Sequence, residues 1–123
     1  MELSGKSVVV TGGGSGIGRA MSARFAAEGA VVGVADVDLD GARATTTGIE
    51  ERGGQALPFE CDVRVEAQVQ ALVGAAITAH GPIDLFCANA GIAIGGGPEV
   101  NDAEWARAWE TNFLGHVYAV RAV

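Results

Sequence analysis

The feature that most constrains this chain is a glycine-rich run, Thr11-Gly12-Gly13-Gly14-Ser15-Gly16-Ile17-Gly18, wedged between two segments of different periodicity. Before it stands Lys6-Ser7-Val8-Val9-Val10-Thr11, a short β-branched apolar run of the kind found in a strand buried on both faces. After it Ile17, Met21, Phe25 and Glu28 recur at near-fourfold spacing, predicting a helix with one apolar stripe that is closed by Gly29. Glycines at such a junction allow positive φ and bring bare backbone close to a ligand, while the helix behind them offers unpaired N–H groups and the positive end of its dipole. The arrangement therefore fits a phosphate or pyrophosphate; a merely flexible turn is the competing reading. The run is not a literal G-x-G-x-x-G, because the sixth position from Gly12 is Ile17, and Arg19-Ala20 after Gly18 excludes a P-loop.

The alternation continues. A second strand spans residues 30–35 and ends in Asp36, and a polar helix over 39–52 stops at Gly53-Gly54. Residues 56–60 form a third strand, which Pro58 places at a sheet edge, where a missing N–H does least harm. Val65, Val69, Leu72, Val73, Ala76 and Ile77 mark an amphipathic helix ending at His80-Gly81-Pro82. A fourth strand covers 83–88, a loop covers 91–98, and Asn101 or Asp102 caps a helix running from 103 to the last residue. This βαβαβαβα order predicts an α/β, Rossmann-like doubly wound parallel sheet in a single unit, 1–123, with strand order 3-2-1-4 and a switch point between strands 1 and 4.

Composition narrows the function classes. Asp and Glu number 15 against 8 Lys and Arg, a formal charge of −7, which argues against nucleic acid or an anionic membrane as partner. A hydrophobic fraction of 49% argues against disorder. No apolar run approaches the ~18 residues of a membrane span, and the first residues lack the apolar core of a signal peptide, so a soluble, cytoplasmic protein is expected. Cys61 and Cys87 are too few and too far apart for a disulfide framework or a CxxC site, and lone His80 and His116 have no partner at ligand spacing, so no metal site is expected. His80, at a helix end, suits the dipole as a partly charged imidazole.

Three further segments carry chemistry. Asp36, eighteen residues beyond Gly18 at the end of strand 2, can accept from the ribose 2′- and 3′-hydroxyls of an adenosine and would repel a 2′-phosphate. Neither Ser15 nor Val37 supplies a compensating cation, so NAD is favoured over NADP. Asp62-Val63 after strand 3 could receive an adenine amino group and flank its ring, or Asp62 could simply cap the next helix. Asn89-Ala90-Gly91 follows strand 4 on the same sheet edge; on the residues alone, a structural role for Asn89 is favoured.

Together Leu3-Ser4-Gly5-Lys6, the T-G-x-x-x-G-x-G run, Asp36, Asp62-Val63, Asn89-Ala90-Gly91 and Asn112 resemble, in order and spacing, a classical short-chain dehydrogenase/reductase along the whole chain. The resemblance implies that Gly12, Ser15, Gly16, Ile17 and Gly18 hold the pyrophosphate and nearby ribose. It further implies that Asp36 selects NAD, that Asp62 and Val63 bind adenine, and that Asn89, Ala90 and Gly91 support the sheet and line the cofactor site. Asn112 matches the catalytic-site asparagine whose backbone organises a water linked to the catalytic lysine. The usual Asn-Asn-Ala-Gly is altered here, with Ala88 in place of the first Asn. The family's Ser and Tyr-x-x-x-Lys have no counterpart in these 123 residues: Tyr118 is the sole tyrosine, Ala122 stands four residues after it, and Lys6 is the sole lysine. The expectation is the cofactor-binding half of an oxidoreductase acting on a small carbonyl or secondary-alcohol substrate, inactive as this chain alone. Two alternatives remain: a short nucleotide-binding protein without catalysis, and an oligomerisation partner pairing through residues 103–123. Trp105, Trp109, Phe113, Val117 and Val120 form an apolar stripe there, read as core or interface in a homo-oligomer of two or four subunits.

Overall fold

A computed structural model describes all residues, 1–123. Four parallel strands, β1 (Ser7–Thr11), β2 (Val31–Asp36), β3 (Gln55–Glu60) and β4 (Leu85–Cys87), lie in the order β3-β2-β1-β4. Between them run α1 (Gly16–Ala27), α2 (Leu39–Glu50) and α3 (Glu66–His80); α4 (Asp102–Trp109) and α5 (Gly115–Ala122) follow β4. The sheet order matches the sequence reading, and Pro58 lies in β3 at the sheet's edge.

The period-2 geometry of a strand divides the valines of β1 between two cores. Val8 and Val10 join Val32, Val34, Ala26, Ala42 and Ile49 beneath α1 and α2. Val9 joins Ala35, Val63, Val69, Leu72 and Ala119 beneath α3 and α5. Val8, Val9, Val10, Val32 and Val34 are wholly inaccessible to solvent, each contributing roughly 1.5–3 kcal/mol of apolar burial. An unbroken run of valines is what a sheet covered on both faces requires.

Several expectations need correction. The buried stripe of α1 is Gly18, Ser22 and Ala26, one position removed from the anticipated one; Ile17 is 74% exposed. Close approach of this helix to the sheet selects small side chains, so hydropathy alone misplaces the face. β4 is three residues long instead of six, although Asp84 N still donates to Ser7 O at its start. Residues 103–123 are not one uniform α-helix: a π-helical turn, Glu110–Leu114, separates α4 from α5. Asn101 is the cap, its side chain accepting from Glu104 N at 3.0 Å. Trp105, Trp109, Phe113 and Val120 are not core but at least half exposed, with the Trp109 and Phe113 rings stacked 4.3 Å apart. His80 carries a buried Nδ1 without a partner, and burial lowers its pKa, which works against the partly charged dipole role expected of it. No helix is long and apolar enough to cross a membrane.

Candidate nucleotide site at the carboxyl ends of the strands

Because all four strands are parallel, the segments that follow them emerge at one edge of the sheet. There they surround a cleft of about 560 Å³. Gly12, Ser15, Gly16, Ile17 and Gly18 come from the turn after β1, Asp36 from β2, Asp62 and Val63 from the segment after β3, and Asn89, Ala90 and Gly91 from that after β4. All eleven positions singled out from the sequence for a cofactor thus line one cavity, at the crevice between β1 and β4 where the strand order reverses.

The turn after β1 is built for close approach. Gly12 has φ +67°, and a Cβ there would lie 2.9 Å from Ala90 Cα. A Cβ on Gly18 would be driven into the Gly12 carbonyl. Gly12 therefore demands glycine for conformation and packing, and Gly18, which is helical, for packing alone. Ser15 is the N-cap residue of α1, but its side chain caps nothing. The first amide of that helix to find an acceptor is Arg19 N, on Ser15 O. The amides of Gly16, Ile17 and Gly18 have no partner in the chain and stand at the positive end of the helix, the chemistry of an anion site.

Asp36 is half-buried, and both carboxylate oxygens accept from backbone: Oδ2 from Gly14 N at 2.9 Å and Oδ1 from Asp38 N at 2.9 Å. A carboxylate oxygen has a further lone pair, so each can still accept from a ligand hydroxyl. Asp62 does not cap α3, whose N-cap residue is Val65. It instead holds Arg64 in a fork, with Nη2 to Oδ2 at 2.8 Å and Nε to Oδ1 at 3.1 Å. That hydrogen bonding holds the Asp62 carboxyl below the usual aspartate range. Beside it, burial and the Asp62 charge push the Cys61 thiol up to about 11, so it stays neutral at physiological pH.

Asn89 links the two strands at the switch point. Its Nδ2 donates to Thr11 O at 3.0 Å, and its amide donates to Thr11 Oγ1 at 3.0 Å. The same hydroxyl accepts from Ala90 N at 3.1 Å. Thr11, which heads the glycine motif but has no role of its own in the sequence pattern, is buried and is thus the staple that fixes the segment after β4 against the glycine turn. Asn112 lies outside the cleft lining. From the π-helical turn its Oδ1 accepts from Ile92 N and its Nδ2 donates to Ile92 O, both at 2.8 Å, clasping the loop after Gly91. Arg64, Arg107 and Thr111 also line the cleft and carried no sequence motif. The two guanidinium groups balance the Asp36 and Asp62 carboxylates, so the cleft is near neutral in a chain of charge −7.

The family model for short chain dehydrogenases matches residues 6–123. The 7alpha-hydroxysteroid dehydrogenase of Escherichia coli K12 is 39% identical over 115 residues, covering 91% of this chain and 44% of that protein. The 3beta-hydroxysteroid dehydrogenase 1 of Eggerthella lenta is 41% identical over 116 residues, 93% of this chain and 44% of that protein. Among solved structures, a short-chain dehydrogenase/reductase from Burkholderia phymatum in complex with NAD superimposes with a TM-score of 0.96 at 36% identity, over 99% of this chain and 44% of that one. The chain thus spans a little under half the length of these relatives. It belongs to the short-chain dehydrogenase family of oxidoreductases.

Proposed function

We propose that these 123 residues are the cofactor-binding half of an NAD-dependent oxidoreductase that interconverts a carbonyl and a secondary alcohol. The observation that carries this reading is the cleft itself: unpaired amides of Gly16, Ile17 and Gly18 share it with the Asp36 carboxylate. A diphosphate needs the first and a free 2′-hydroxyl favours the second. The turn after β1 fits such a group, because a side chain at Gly12 or Gly18 could not be accommodated and nothing lies between Gly16 and open space.

In this reading the amides of Gly16, Ile17 and Gly18 hold the diphosphate, Asp36 accepts from the adenosine ribose hydroxyls, and Asp62 and Val63 face the adenine. Asn89, Ala90 and Gly91 close the nicotinamide side. The bound nicotinamide supplies or accepts the hydride at its C4; the chain's own part is to bind and orient. Asn112 keeps the loop after Gly91 in place through Ile92, and its backbone is assigned the water-organising role that family resemblance implies. The phenol and ammonium that handle the substrate proton are assigned to residues outside 1–123, since Tyr118 has no lysine four residues on.

Two hydroxysteroid dehydrogenases among the relatives, and an apolar hollow of about 200 Å³ lined by Ile92, Ile94, Val100, Trp105 and Ala108, support a substrate with an apolar body. The exposed Trp105 and Trp109 of α4 and Phe113 of the π-helical turn favour a second role for this segment as an interface in a homo-oligomer. Calorimetric titration of the chain with NAD, followed by a turnover assay on secondary alcohols, tests the proposal. Binding without turnover is expected; failure to bind NAD refutes it.

A further inference from the structure

Gly13 and Gly14, the two glycines of the turn that do not line the cleft, have every backbone polar atom engaged. Gly13 N donates to Ala35 O at 2.9 Å, and Gly13 O accepts from Thr45 Oγ1 at 2.9 Å. Gly14 N donates to Asp36 Oδ2 at 2.9 Å, and Gly14 O accepts from Arg19 Nη2. The Thr45 hydroxyl is used twice, because it also accepts from Arg19 Nε at 3.1 Å. Thr45 is 4% exposed on α2 and Arg19 lies on α1, and neither lines the cleft. The turn therefore has a fully bonded back and, two residues later, an unbonded front.

We propose that Thr45 and Arg19 are positioning residues for the diphosphate-binding turn, fixing from behind the direction in which the Gly16, Ile17 and Gly18 amides point. This inference rests on the nucleotide-binding reading above. A hydroxyl at 45 is required in both of its senses, since a donor must reach Gly13 O and an acceptor must hold Arg19. Gly14 N also reaches Asp36 Oδ2, but Asp36 keeps its own anchor on Asp38 N, so the ribose contact does not depend on Thr45. Adenosine alone engages Asp36 and the adenine face but not the front of the turn.

The experiment uses the complete chain with Thr45→Val, Thr45→Ser and Arg19→Lys, titrated calorimetrically with NAD, ADP and adenosine. Amide hydrogen exchange of the unliganded proteins is recorded in parallel. Thr45→Val keeps the shape and removes the hydroxyl, leaving Gly13 O buried without a donor. NAD and ADP should weaken about tenfold, corresponding to ~1.4 kcal/mol, with adenosine changed less than about twofold. Thr45→Ser should restore binding. Arg19→Lys, at an exposed side chain that leaves the fold intact, keeps the charge but not the two-point contact and should weaken ADP about threefold. Exchange should accelerate at Gly13 and Gly14 in Thr45→Val and not at Val8, Val9 or Val10. Equal weakening of ADP and adenosine, no rescue by serine, or unchanged exchange in the turn overturns the proposal. If the unaltered chain binds no NAD, the nucleotide reading fails, and the exchange data alone then uphold or overturn the positioning network.

Discussion

Replacing Asp36 with Asn removes one charge with little change of shape, and the structure sets the consequences. Asp36 accepts from two backbone amides at once, Gly14 N on Oδ2 and Asp38 N on Oδ1, and an asparagine has one acceptor oxygen to offer. One of those amides must lose its partner and face an NH₂ group, so the fold should lose about 1 kcal/mol. For the ligand the charge matters more. A 2′-phosphate about 4 Å from a carboxylate is repelled by roughly 4 kcal/mol per unit charge at an effective dielectric of 20, and by about 1 kcal/mol in bulk water. Asp36 is half-buried, so an intermediate value of about 2 kcal/mol applies, equivalent to roughly a thirtyfold change in a ratio of dissociation constants. NAD, deprived of a charged acceptor for its ribose hydroxyls, should weaken while NADP is relieved. The assay is calorimetric titration of both cofactors into both proteins, with thermal unfolding as the control for folding. A ratio of NADP to NAD affinity that stays within about threefold of the unaltered protein, in a variant that still folds and binds NAD, would refute the reasoning and leave Asp36 as a strut for Gly14.

Other perturbations read different parts of the molecule. Gly18→Ala should destabilise the chain by about 2 kcal/mol or more in urea titration, because its methyl group enters the space of the Gly12 carbonyl; unchanged stability would contradict the packing described. The carboxyl of Asp62 is held below the ordinary value of 3.8 by its hydrogen bonds from Arg64. Since this folded-state pKa is depressed, the pair's contribution is fully present above 3.8 and is lost as pH falls through the lower folded value; in Arg64→Ala an NMR titration should find Asp62 moved back up toward the ordinary value. Paired Trp109→Ala and Phe113→Ser changes, on the exposed face shared by α4 and the π-helical turn, should leave thermal stability nearly unchanged and lower the mass found by light scattering; an unchanged mass would contradict a subunit interface there. Asn112→Ala, which deletes both bonds to Ile92, should speed amide exchange at Ile92 with little effect on NAD affinity.

Sequence patterning reached most of the sheet and the cleft lining because those features are written in runs and spacings. Val8-Val9-Val10 needs no context to read as a doubly covered strand, and glycine after a strand marks where backbone must approach something closely. Asp36 was legible from its distance along the chain to Gly18, which the βαβ unit holds nearly constant. What escaped were pairings between residues on different elements. Thr11 bonding to Asn89 and Ala90, and Thr45 bonding to Gly13 and Arg19, depend on strand register and helix rotation, and one hydroxyl in Thr45-Thr46-Thr47 looks like another. The buried face of α1 was misjudged because tight helix–sheet contact selects Gly18, Ser22 and Ala26 for size, against the pull of hydropathy toward Ile17 and Met21. The π-helical turn has no residue signature; within it Asn112 bonds to Ile92 while Thr111 stays buried.

The account's central claim is that one cleft at the carboxyl ends of the strands takes a dinucleotide with its diphosphate on the turn after β1. Mapping backbone amide shifts while NAD is added to the isotope-labelled chain tests this most directly. The expected result is saturable movement of Gly12, Gly16, Ile17 and Gly18 together with Asp36, Val63 and Ala90, while the outer face of α3 stays still. No saturable movement, or movement confined to residues outside the cleft, would contradict it.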